Sequence, residues 1–156
     1  MRLSDREWGE FRIINIFGNS INAKAYHFSD LEETNDIKNS IPYITRTNMN
    51  NGLFCLVKKE KYFKKNIKNT ICFGAENATY FYQPYDYLTG NKMYYYVSNN
   101  LSKYSLLFIV SCLNKSIFDC GFGYGMGLTG SRSDTKKSSS PQPHKAHQTM
   151  SLWKII

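Results

Sequence analysis

Six lysines crowd the eleven residues from 58 to 68: Lys58, Lys59, Lys61, Lys64, Lys65 and Lys68, with Glu60 the only acid among them. Tyr62 and Phe63 interleave with these cations. Several positive charges near one strand displace the counterions condensed on a phosphate backbone, so the segment suits a nucleic acid. The plain alternative is a solvated loop, or a strand edge blunted by lysine. The whole chain of 156 residues has a formal net charge of +8, and position matters more than the total. Residues 1–131 carry 15 Lys+Arg against 11 Asp+Glu, and residues 132–156 carry 5 against 1. Without the lysine segment the body would be slightly acidic.

Other chemistries find little support. His27, the only histidine before residue 132, lies in Tyr26-His27-Phe28 with no nucleophile spaced to use it. His144 and His147 match no metal spacing. The carboxylates Glu32, Glu33 and Glu76 are scattered, with no pairing that calls for acid–base work. Cys55, Cys72, Cys112 and Cys120 form no C-x-x-C pair and sit among apolar or aromatic neighbours, as reduced core thiols of a cytoplasmic protein would. Residues 121–130 alternate glycine with larger side chains but lack the G-x-x-x-x-G-K-[ST] of a phosphate loop. No catalytic residue, metal or cofactor is expected. The longest strongly apolar run, Leu106 to Leu113, is too short to span a membrane, and no basic stretch leads into an apolar segment at the start.

The elements that would position these residues are mostly strands. Ser4 with Glu7 has capping-box spacing for a short helical turn, and Phe11 to Phe17 reads as a strand. Asp30 to Lys38 reads as loop or short helix. Ile41 to Thr45 is a β-rich run, and Asn50-Asn51-Gly52 offers the positive φ of a tight turn before a strand at Leu53 to Val57. Further strands are expected at Thr70 to Phe73, Ala78 to Tyr82 and Met93 to Val97. Alternate members of the tyrosine runs should face the core. Leu106, Leu107, Ile109, Val110 and Leu113 place an apolar stripe on a helix over 101–117, with Ser102 as its cap. The fold class is α+β: a strand-rich domain over 1–131 with a mixed or antiparallel twisted sheet and one main packed helix.

Composition changes at Arg132. Every Asn, Tyr and Phe precedes it, and no period survives beyond it, so 132–156 reads as a divergent, disordered tail. A linker to a further domain is one reading, and a frameshift between Ser131 and Lys137 is another. Suitable codons for residues 148–156, read in a shifted frame, spell Asp-Tyr-Glu-Phe-Met-Glu-Asp-Tyr.

The order of motifs resembles a known family. Asp5-Arg6-Glu7-Trp8-Gly9-Glu10-Phe11 runs into Ile16-Phe17, followed by Ile41-Pro42-Tyr43-Ile44-Thr45 and Asn50-Asn51-Gly52. Then come Ile71-Cys72-Phe73-Gly74-Ala75-Glu76-Asn77-Ala78-Thr79, Phe81-Tyr82-Gln83-Pro84-Tyr85 and Thr89-Gly90-Asn91. Leu107-Phe108-Ile109 and Tyr124-Gly125 to Ser131-Arg132 complete the series. This resembles the target recognition domain of restriction–modification specificity subunits, of Type I and BcgI-like Type IIB systems. The family would next complete a strand and enter a long helix, which Ser133 to Ile156 does not.

The resemblance implies a non-catalytic module that reads one half of a split double-stranded DNA target. A methyltransferase subunit and a restriction subunit would be its partners, holding the chemistry and any cofactor. Under it, the lysines of 58–68 contact phosphates, which position without carrying sequence information. Base edges would be read by the loop Thr45, Arg46, Thr47, Asn48, Asn50 and Asn51, led by Arg46 and Asn48, with Gln83 and Asn77 as weaker candidates. Arg pairs with guanine O6/N7 and Asn or Gln with adenine N6/N7. Ordinary turn chemistry is the competing reading of Asn50-Asn51-Gly52. Two other readings stay open: an inactive truncated product, and a carbohydrate-binding β module suggested by the abundant Tyr and Asn.

Overall fold

The strand Thr70–Gly74 is buried along its whole length, so both of its faces must be covered. Ile71 and Phe73 point to one side and Cys72 to the other, as the two-residue period of a strand requires. That alternation organises the molecule. The computed structural model describes residues 8–76, 79–119 and 149–153. Its elements are β1 (Trp8–Arg12), α1 (Ile13–Phe17), β2 (Ile21–Asn22), β3 (Ser40–Ile44), β4 (Leu53–Lys58), β5 (Thr70–Gly74), β6 (Tyr80–Gln83), β7 (Leu88–Thr89), β8 (Met93–Val97), α2 (Lys103–Asp119) and β9 (Thr149–Trp153).

An antiparallel sheet runs β2-β8-β5-β6, and a mixed sheet runs β4-β3-β7, with β3 antiparallel to β4 and parallel to β7. The main helix α2 covers one face of the first sheet. Leu106, Ile109 and Leu113 pack there on Ile71, Phe73, Tyr80, Tyr82 and Tyr96. The opposite face meets the mixed sheet through Cys72, Ile44, Tyr87 and Met93. Beyond the mixed sheet a third cluster joins Ile41, Tyr43, Val57, Phe63 and Leu88. The α+β expectation holds. So does the division of the tyrosine runs: Tyr80, Tyr82, Tyr94 and Tyr96 serve the helix side, Phe81 and Tyr95 the other.

Helix α2 begins as its sequence suggests, with Ser102 Oγ accepting from the Ser105 N–H at 3.1 Å. Asn114 fastens the helix to the sheet edge. Its Oδ1 accepts from the Tyr80 N–H at 2.8 Å and its Nδ2 donates to the Tyr80 carbonyl at 2.9 Å, so one side chain satisfies both backbone groups of an edge residue.

Several local expectations need correction. The strand expected over Phe11 to Phe17 stops at Arg12, and Ile13–Phe17 is helical, closed by Gly18 at φ 71° with its N–H donating to the Ile14 carbonyl. Ile13, Ile16 and Phe17 have i, i+3, i+4 spacing and reach the α2 core together, which a strand would not allow. Strand β6 starts at Tyr80 rather than at residue 78. Thr149–Trp153, inside the segment expected to lack structure, pairs antiparallel with β1, from Trp8↔Trp153 to Arg12↔Thr149. The proposed cap at Ser4, Asn77 and the glycine-alternating stretch 121–130 lie outside the described residues.

Candidate nucleic-acid interface

The loop between β3 and β4 reverses through consecutive left-handed residues: Asn50 at φ 51°, Asn51 at φ 54° and Gly52 at φ 78°. Asparagine tolerates that region and glycine adopts it freely. Gly52 is also crowded, since a Cβ there would lie 3.0 Å from Ile44 Cγ2 and 3.1 Å from Phe81 Cδ2. The loop is closed by the Thr45 N–H donating to the Gly52 carbonyl at 2.9 Å and the Met49 N–H donating to Thr47 Oγ1 at 3.2 Å.

The lysine segment is held by residues between its cations. Phe63 is buried and meets Tyr26 edge-on at 5.2 Å, while the Lys64 N–H donates to the Tyr26 hydroxyl at 2.8 Å. Asn66 is 4% exposed, exchanges backbone hydrogen bonds with Tyr87 at 2.9 and 3.1 Å, and donates from Nδ2 to the Tyr87 carbonyl at 3.3 Å. The Lys68 N–H donates to Asp86 Oδ1 at 3.1 Å. All six lysines are exposed. Lys58, at the end of β4, pairs with Glu32 at 3.2 Å, and that hydrogen bond raises its pKa.

Loop and lysines meet at one groove of about 720 Å³. Asn50, Asn51, Lys59, Lys65 and Lys68 line it over an apolar floor that includes Pro42 and Leu56, with the exposed Tyr85 at its margin. Lys58, Lys61 and Lys64 are exposed but do not line it, and neither do Thr45, Arg46, Thr47 and Asn48.

Arg46 and Asn48 instead engage a second turn. Arg46 Nη1 donates to Glu76 Oε2, while Lys92 donates to Glu76 Oε1. Thr79 Oγ1 donates to Asn48 Oδ1 at 2.8 Å. The Lys92 hydrogen bond, with the Arg46 charge behind it, holds the Glu76 carboxyl below its ordinary pKa. Sequence spacing does not single out Glu76, Thr79 and Lys92 as partners of the loop, although Glu76 and Thr79 lie within the G-A-E-N-A-T stretch of the resemblance.

Two of the candidate readers, Asn51 and Gln83, line the groove but commit their side-chain amides to the protein itself. Gln83 is 4% exposed, and its Nε2 donates to the Asn51 carbonyl at 3.0 Å and to Cys72 Sγ at 3.1 Å. Asn51 Nδ2 donates to the Tyr82 carbonyl at 2.9 Å. These amides tie the loop to β6. Burial, slightly relieved by the Gln83 contact, pushes the Cys72 thiol up to about 12. Among the described residues no group of three or more His, Cys, Asp or Glu could hold a metal ion, and no helix is long and apolar enough to cross a membrane.

A polar loop and a basic segment converging on one groove suit a protein that grips and reads a polyanion. The chain belongs to the family described as Type I restriction modification DNA specificity domain, whose model matches residues 5–155. The match runs past the change of composition at Arg132 and across β9. No curated protein and no solved structure matches the chain. Its role is therefore one of DNA specificity within restriction–modification.

Proposed function

We propose that this chain binds double-stranded DNA and reads one half of a split target for partner methyltransferase and restriction subunits. The observation that carries the reading is the groove uniting Asn50 and Asn51 with Lys59, Lys65 and Lys68. In this reading the lysines engage phosphates and fix the register of the duplex. Arg46, Asn48 and Asn50 read base edges, each good contact discriminating by about 1–3 kcal/mol. Thr45 and Thr47 shape the loop, and Asn51 and Gln83 buttress it from behind. The chain itself is non-catalytic and takes no cofactor; methylation and cleavage belong to the partners, and all act in the cytoplasm.

Selection of duplexes from a randomised pool by the 156-residue chain tests this reading. One short enriched motif is expected. Capture of duplexes without any shared sequence would contradict it.

A further inference from the structure

We infer that Glu76 is a positioning residue for base reading by Arg46. The inference rests on the proposed function, in which the loop after β3 faces DNA. Glu76 receives one cation on each carboxylate oxygen: Arg46 from the β3–β4 loop on Oε2, and Lys92 from the β7–β8 turn on Oε1. Three connections separated in sequence thus meet at a single carboxylate.

The anchoring side of this triad is built into the backbone. Lys92 adopts a left-handed φ of 56°, and its carbonyl accepts from the Ala75 N–H at 3.0 Å, one residue before Glu76. The β5–β6 and β7–β8 turns are therefore fixed to each other before any side chain acts. A parallel tie, Thr79 to Asn48 at 2.8 Å, holds the same loop beside Arg46. Glu76 is held by Lys92 and in turn holds Arg46.

This matters because of what arginine must do to read guanine. Two coplanar hydrogen bonds require a fixed guanidinium plane, and a long side chain on a loop otherwise loses rotamer freedom on binding. A carboxylate on Nη1 restricts that freedom beforehand. Ion pairs this exposed add little to stability, so the triad has small value as a brace for the fold. Its value lies in where it keeps Arg46.

The test uses single-base-pair variants of the selected motif, bound by the wild-type chain, Arg46→Ala, Glu76→Gln and the double variant. Glu76→Gln should relax the same base pair as Arg46→Ala, by roughly three- to ten-fold, and leave other positions alone. The double variant should relax it no further than Arg46→Ala. The Arg46 Nη resonances should be distinct in the wild type and averaged in Glu76→Gln. If Glu76→Gln does not fold, Lys92→Gln takes its place and should relax the same base pair more weakly. A motif with no Arg46-dependent position, or one whose Arg46-dependent position ignores Glu76, would overturn this inference alone. The absence of any selected motif would overturn the DNA reading and this inference with it.

Discussion

In the proposed reading, individual side chains divide into those that face DNA and those that hold them there. Glu76 belongs to the second group, and its titration reports the triad directly. Its folded pKa is lowered by the Lys92 hydrogen bond first and by Arg46 second. The charged form is therefore favoured by folding. That contribution is complete above the ordinary glutamate value of 4.5 and is lost as pH falls through the lower folded value. A side-chain carboxyl titration by NMR should place the midpoint of Glu76 below 4.5, with Lys92→Gln moving it upward. A wild-type midpoint at or above 4.5 would contradict the geometry. Cys72 provides a second check at this scale. With its thiol pushed up to about 12 by burial, it carries almost no thiolate at neutral pH. Iodoacetamide at mildly alkaline pH should leave Cys72 unmodified in the native chain and label it on unfolding, as peptide mapping would show. Gln83→Leu should cost about 1 kcal/mol in urea unfolding, because the half-buried carbonyl of Asn51 is deprived of its side-chain donor.

At the scale of elements, the candidate interface depends on one turn, and the sheet behind it on one helix. Gly52→Ala combines an unfavourable positive φ with a Cβ pressed against Ile44 and Phe81, and should destabilise by about 1 kcal/mol or more. Thermal unfolding measures that loss, and a neutral result would mean that the loop relaxes freely. Asn114→Ala strips both groups of Tyr80 of their partner and should cost about 1–3 kcal/mol by the same measurement. The central elements are legible in the sequence for physical reasons. Strands β3, β5 and β8 are rich in β-branched or aromatic residues, β4 is an apolar run after a tight turn, and α2 has both a cap and a stripe. Phe11 to Phe17 is ambiguous because its apolar spacing fits both periods, and only packing against α2 selects a helix after Arg12. Strands β2 and β7 are two residues long and exist through their pairing with β8 and β3. Strand β9 depends likewise on β1, 137 residues or more away along the chain. For the interface, the residue types of the loop and the lysine segment are legible, but their meeting is not. That meeting depends on the buried anchors Phe63 and Asn66 and on the β3–β4 register. Gln83 is legible as a polar residue before proline, but its place in the groove wall, with its amide committed to Asn51 and Cys72, depends on the pairing of β6 with β5.

Across the whole molecule, the two sheets divide the work. The antiparallel sheet with α2 on one face forms the scaffold, while the mixed sheet carries the loop and leads into the lysine segment. The net charge of +8 overstates the basic character of the described body, because half of it lies beyond residue 131. What concentrates positive potential at the groove is one segment of eleven residues, not the average surface. Affinity and specificity should consequently respond to different substitutions. The direct test is equilibrium binding of the wild-type chain and a Lys59/Lys65/Lys68→Ala variant to the selected duplex and to a scrambled one, across a range of salt. Replacing the three groove lysines should weaken both duplexes alike and reduce the slope of log K against log salt by about 0.9 for each phosphate no longer neutralised, with the preference between duplexes unchanged. An unchanged slope, or a weakening confined to the selected duplex, would contradict the assignment of backbone grip to the lysines and base reading to the loop.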